Sequence, residues 1–317
     1  MHHPCSAALF CSCMLLALSR VSRAFVVTPP TAARSPTART MVSSILDLLG
    51  GAGKNQLITP EKALPGRDTP ILPKGTKHYI YKENALEDLP KGGSYQEAIY
   101  ANGCFWGSEK GAWRFPFGIY STAVGYCGGF TPNPTYEEAC SGLTGHTEGV
   151  RVVYDESKIS YVDVIRWFWE AHDPTSGMGQ GNDRGTQYRS GCYYNNEEQK
   201  ALVEASKEAY EKVLGRPITT EIAAASDYDK YGGCWYFAEE YHQQYLAKPG
   251  ARPYCSAQPQ GIALPPYDEW CPFEDETLRE KHRPKLPESF WKEHAPQKGC
   301  SVVAQPNEPI VEGSYAS

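Results

Sequence analysis

The first 46 residues contain no aspartate or glutamate, and no Asn-X-Ser/Thr sequon occurs anywhere in the 317-residue chain. No Cys-X-X-Cys pair occurs among the eight cysteines from Cys104 to Cys300, which removes the usual dithiol redox motif and the common zinc ligand spacings. No apolar run reaches the length of about 20 residues that a membrane-spanning helix needs. The missing sequon argues mildly against a glycosylated secreted protein. A formal net charge of -6 and a pI near 5.8 leave no basic surface to suggest nucleic acid or anionic membrane as a partner.

What is present at the start is a segment in two parts. CSAALFCSCMLLALS is apolar and of signal-peptide length, and SRAF follows it. VVTPPTAARSPTARTM is rich in Ser, Thr, Ala and Arg. The pair, joined at Ala24-Phe25, resembles the presequences that direct proteins into plastids of algae with secondary endosymbiosis. Residues 1–46 are therefore expected to be a bipartite targeting presequence, with secretion or an endomembrane destination as the alternative. Residues 47–95 read as an N-terminal extension, in which GGAGKN is a linker because Leu48 and Asn55 stand where a phosphate loop needs Gly and Ser or Thr.

From there the runs EAIYAN, GIYSTAVGY, GVRVVYD, GCYYN and ITTEIAAAS predict strands. Two segments have helical periodicity. In the first, Tyr161, Val164, Ile165, Phe168 and His172 share a face. The second is capped by Asn196 and stopped by Gly215 and Pro217, with Leu202, Ala209, Tyr210 and Val213 as its stripe. Strands and helices without strict βαβ alternation give an α+β domain: a mixed β-sheet with helices packed against it. Beyond residue 272 apolar periodicity is lost, so 272–317 is expected to be an irregular, peripheral tail.

The pentapeptide Gly103-Cys104-Phe105-Trp106-Gly107 places a cysteine where a strand ends and a helix begins. Gly103 permits the turn. The helix's first N–H groups would face the sulfur and favour thiolate over thiol, so Cys104 is a candidate nucleophile. A buried structural cysteine between core aromatics is the rival reading.

GCFWG, AVGYCGGFTPNPTYEEACSG, GHTEGVRVVYD, FWEAHDPT, QGNDRGTQYRS and HQQYL occur in this order. Over residues 97 to 266 the chain thereby resembles the A-class peptide methionine sulfoxide reductases. The resemblance implies reduction of methionine-S-sulfoxide, with Cys104 as the attacking sulfur. Phe105 and Trp106 would wall the substrate's methyl group, and Glu148 would be an acid whose pKa is raised by burial. Tyr136 and Tyr188 would bind the sulfoxide oxygen, and Asp183 would hold substrate and water. It also implies a sulfenic acid on Cys104, a resolving cysteine, and thioredoxin as the reductant, with no cofactor.

Cys255 is the expected resolving thiol and Cys271 a less secure second one. Cys234 and Cys300 are weaker candidates, while Cys127, Cys140 and Cys192 are expected to be buried and inert. A zinc site from Cys234, His242, Cys255 and Cys271 fits no common spacing, so no metal is expected. The catalytic domain is bounded at 96–271, as a two-layer, ferredoxin-like sandwich with a long irregular C-terminal segment. Oxidised proteins or peptides are the expected substrates, and a monomer is expected. A thiol peroxidase would dispense with Glu148 and the paired tyrosines. An aromatic box for methylated cations would dispense with Cys104.

Overall fold

A computed structural model describes residues 55–87 and 89–315. The expected presequence, 1–46, lies outside the described residues. All five expected strand runs form strands: β1 (Tyr95–Asn102), β2 (Ile119–Cys127), β3 (Thr147–Asp155), β6 (Ser190–Tyr194) and β7 (Glu221–Ala224). A short β8 (Trp235–Phe237) joins them in one sheet of order β7-β6-β1-β3-β2-β8. Neighbours are antiparallel except β6 and β7, which run parallel. A separate two-residue hairpin pairs β4 (Gly179–Gln180) with β5 (Asp183–Arg184).

Strand alternation sorts residues onto two faces. Ala98 and Tyr100 of β1, Val124 and Tyr126 of β2, and Val150, Val152 and Tyr154 of β3 enter the main core. Helices α1 (Phe105–Trp113), α3 (Tyr161–Glu170) and α4 (Glu197–Leu214) cover that face. Glu148 has the parity of Val150 and Val152, so it too faces the helices, directly across from Tyr126 in the β2–β3 register. The opposite face is also covered, by Tyr228 and Cys234 over Ile99, Ala101 and Cys127, and by Leu72 and Leu86 of the extension over Ala123.

Both helices end as their sequences dictate. Ser160 and Asp163 form a capping box on α3. Asn196 caps α4 by accepting from Gln199 N–H, and Gly215 closes it at φ 66°. One member of the expected α4 stripe is misplaced: Val213 is 45% exposed, and Val203 is fully buried in its stead. Val213 lies on the outer side of the last turn of α4, while Leu214 beside it still packs against the core.

The segment after 272 is not peripheral. It contains α5 (Glu276–His282) and α6 (Glu288–His294), and Leu286, Phe290, Trp291, Ile310 and Tyr315 are buried in the main core. Arg166 of α3 lies 4.3 Å over the Trp291 ring and bonds Glu288 at 2.6 Å. Helix α3 is thus covered on its outer side by the tail, which is why nearly all of it is buried. Five apolar residues spread over 30 positions leave no periodicity to read. The extension is docked as well, since the Arg67 guanidinium forks onto Glu138 at 2.6 and 2.9 Å. No helix among the described residues is long and apolar enough to cross a membrane.

Candidate active site

Cys104 occupies the N-cap of α1, as the pentapeptide predicts, and Gly103 turns the chain at φ +95°, a conformation that favours glycine. A Cβ at Gly103 would also fall 2.8 Å from the Gln180 Cβ, so the turn and the β4–β5 hairpin are packed together. The Phe105 N–H donates to Glu148 Oε2 at 3.0 Å. One turn of helix backbone therefore serves two groups: Phe105 N–H holds the carboxyl, while the N–H groups of Trp106 and Gly107 face the Cys104 sulfur.

Glu148 is fully enclosed, and burial pushes its pKa up to about 8 against the pull of the Phe105 N–H, with Asp183 adding a further upward push. It is therefore a carboxylic acid, able to donate a proton, at neutral pH. The expected low pKa of Cys104 is overturned. The residue is 5% exposed, and burial drives the thiol well above its ordinary value; the negative charge of Glu148 and of Asp183 adds to this, outweighing the helix N–H groups. The resting site holds both protons. When Glu148 is in its acid form, one of the causes holding the thiol up is absent.

Tyr136 opens the short helix α2 (Tyr136–Cys140), behind a Thr135–Glu138 capping box. Tyr188 ends a 3₁₀ turn after the β4–β5 hairpin. Burial raises both phenols, so both remain hydroxyl donors over the neutral range. Asp183 accepts from the Tyr254 hydroxyl at 2.6 Å through Oδ1, and its buried Oδ2 has no hydrogen-bond partner among the described residues. Asp183 also lies close enough to Cys104, Glu148 and Tyr188 to influence each electrostatically. The five polar residues singled out from sequence thus meet around one helix end.

Phe105 is buried and Trp106 half-buried, and their mooring could not be read from the pentapeptide. Trp106 stacks on Tyr245 at 4.0 Å and donates from Nε1 to His242 Nδ1 at 3.1 Å. The His242 ring also meets Phe105 and Tyr136, with centroids at 5.1 and 4.8 Å. Burial lowers its pKa to about 4, which keeps it neutral, and the Trp106 N–H makes Nδ1 the acceptor. Glu239 joins the frame by accepting from Tyr126 OH and Tyr136 N–H, both at 2.8 Å. Sequence reasoning misses Glu239 and weighs His242 only as a zinc ligand. Their only signal was the HQQYL block preceded by a glutamate three residues earlier.

The remaining cysteines separate. Cys255 is bonded to Cys300, 45 residues further on, and Cys104 is free. Cys300, one of the weaker candidates from sequence, is thus the partner of Cys255 in this structure. Cys271 is not brought to that pair: its sulfur lies against Phe273 O at 3.9 Å and beside Tyr267. Cys127 and Cys192 are buried as expected, but Cys140 is half-buried, next to the Tyr136 hydroxyl. The four residues weighed as zinc ligands are dispersed, since Cys234 lies on the far face of the sheet and His242 in the aromatic frame.

The family model of the peptide methionine sulfoxide reductases matches residues 96–264. A peptide methionine sulfoxide reductase MsrA 2 of Nostoc sp. is 50% identical over 222 residues, covering 69% of this chain and 95% of the relative. A peptide methionine sulfoxide reductase MsrA of Azorhizobium caulinodans is 52% identical over 214 residues, covering 66% of this chain and 92% of the relative. The solved methionine sulfoxide reductase A of Corynebacterium diphtheriae is similar at 37% identity and a TM-score of 0.56, over 69% of this chain and all of that one. With a helix N-cap cysteine and a buried acid at the place where the shared blocks converge, the chain belongs to the peptide methionine sulfoxide reductases of the MsrA type, a family of oxidoreductases.

Proposed function

We propose that the chain reduces methionine-S-sulfoxide in proteins through a sulfenic acid on Cys104. The observation that carries this reading is the Glu148 carboxyl, buried, proton-bearing at neutral pH and tied to the N–H of the residue after Cys104. As the Cys104 sulfur approaches the substrate sulfur, Glu148 protonates the sulfoxide oxygen, with Tyr136 and Tyr188 as fixed donors to it. Oxygen passes to Cys104, the S–O bond to the substrate breaks, and the thiol's own proton restores the acid. A thiol and a sulfoxide thereby become a sulfenic acid and a thioether, with atoms and electrons balanced.

Phe105 and Trp106, held by His242 and Tyr245, supply an apolar wall for the substrate methyl group. Asp183 holds substrate and water. Cys255 then attacks the sulfenic sulfur, releasing water and leaving a disulfide that thioredoxin reduces. The central strand order β6-β1-β3-β2, with α1 and α3 as the crossover helices, supports a ferredoxin-like reading of the sheet. For residues 1–46, plastid delivery is the corresponding proposal. A fluorescent fusion that lit the medium or the cytosol would refute it.

The catalytic test is methionine release from a methionine sulfoxide peptide with dithiothreitol, by the full chain and by Cys104→Ser. Release by the former alone supports the reading. Turnover of peroxide without turnover of sulfoxide would replace it with a peroxidase.

A further inference from the structure

The Cys255–Cys300 bond joins a residue inside the family region to one 36 positions beyond its end at 264. Its location is specific. A Cβ built on Gly107 would lie 2.7 Å from the Cys255 sulfur and 3.2 Å from the Cys255 Cβ, so this sulfur rests against bare backbone. The N–H of the same Gly107 faces the Cys104 sulfur. Two sulfurs thus flank one glycine in the first turn of α1, and a third is already bonded to one of them.

What holds the third is the chain that follows it. Lys110 Nζ donates to Gln305 O at 2.7 Å and to Asn307 Oδ1 at 2.8 Å, and Trp113 Nε1 donates to Asn307 O at 2.8 Å. Ile310 N–H donates to Arg114 O at 2.9 Å, and the Arg114 guanidinium reaches the Gln305 side chain. The segment from Cys300 to Ile310 is therefore anchored along α1, the helix that presents Cys104. A cleft between them is lined by Gly107, Ser108, Cys255, Cys300, Val302 and Gln305.

We propose that Cys300, not Cys271, is the thiol that takes the disulfide away from Cys104. This rests on the sulfoxide chemistry proposed for Cys104. The Cys300 thiolate attacks the Cys255 sulfur of a Cys104–Cys255 disulfide. The Cys255–Cys300 bond forms and the Cys104–Cys255 bond breaks. Its electron pair stays on Cys104, which takes up the proton that Cys300 gave away. The oxidation level is conserved, and a dithiol such as thioredoxin then reduces Cys255–Cys300. The sulfur states observed, Cys104 free and Cys255 bonded to Cys300, are those that follow this exchange.

The test counts methionine released by fully reduced full-length protein, freed of reductant, from an excess of a methionine sulfoxide peptide. Wild type should release about two per chain, because Cys104 is restored once before the thiols run out, and Cys300→Ser about one. Cys271→Ser should release about two, like wild type. Two from Cys300→Ser, or one from Cys271→Ser, would overturn the proposal. A peptide map of wild type after one equivalent of sulfoxide reads the same question without any variant: Cys255–Cys300 supports the relay, and Cys104–Cys255 or any bond to Cys271 refutes it. No methionine from wild type, or as much from Cys104→Ser, would instead remove the sulfoxide reading itself, and the relay with it.

Discussion

Cysteine is buried on both faces of the sheet, and the two environments differ in what surrounds the sulfur. On the far face Cys127 and Cys234 share a small cluster with Tyr193 and Tyr228, and burial lifts both thiols. On the helix face burial lifts Cys104 too. Desolvation therefore does not distinguish a reactive cysteine from an inert one. Phenols and a second sulfur stand near both; the distinction lies in the acid, since the Glu148 carboxyl one peptide from Cys104 keeps its proton at neutral pH, whereas the carboxylate near Cys127, Glu221, is ion-paired with Arg189 at 2.8 Å. The Cys127 thiol donates to the Thr147 carbonyl at 3.7 Å.

The comparison breaks first at Glu148. Glu148→Gln keeps the shape and removes the proton, and kcat for sulfoxide should fall about 10²-fold or more at neutral pH. A loss under about threefold would show that the acid is not what sets Cys104 apart. Next is Gly107→Ala, whose Cβ would press on the Cys255 sulfur. Thioredoxin-supported turnover should drop roughly tenfold by misplacing that sulfur, while a single turnover from reduced enzyme changes much less.

The pH dependence sharpens the contrast further. Glu148 titrates near 8 when folded and near 4.5 when unfolded, so kcat should decline above about pH 8. Because the folded pKa is the higher one, the unfolded chain gives up its proton first as pH rises. Stability contributed at this group is full below about 4.5 and is lost up to about 8. Denaturant midpoints of wild type and Glu148→Gln should converge at low pH and separate across that window. The smallest effect belongs to the far face: Cys127→Ala should cost about 1–2 kcal/mol of stability and leave methionine release at the wild-type rate. A matching loss of activity would erase the distinction between the faces.

Local rules made much of this legible. Period-two alternation gave the strands, Asn196 and Gly215 marked the ends of α4, and Gly103 marked the turn into α1. The family blocks named Cys104, Glu148, Tyr136, Tyr188 and Asp183. The rest depended on distance in sequence. The direction of the Cys104 pKa could not be read from GCFWG because the burial that raises it is made by the folded chain, with Asp183 adding charge. Cys300 was obscure because Gln305 and Asn307 bind a helix nearly 200 residues earlier, through backbone as much as through side chains. His242 looked like a stray metal ligand because its aromatic frame is assembled from three separate elements.

Tyr254 adds one consequence. Its hydroxyl binds Asp183 while the adjoining Cys255 is bonded to Cys300. The two side chains flank one peptide link, so the exchange proposed at Cys255 should be readable at the Tyr254–Asp183 hydrogen bond as well as at the sulfurs.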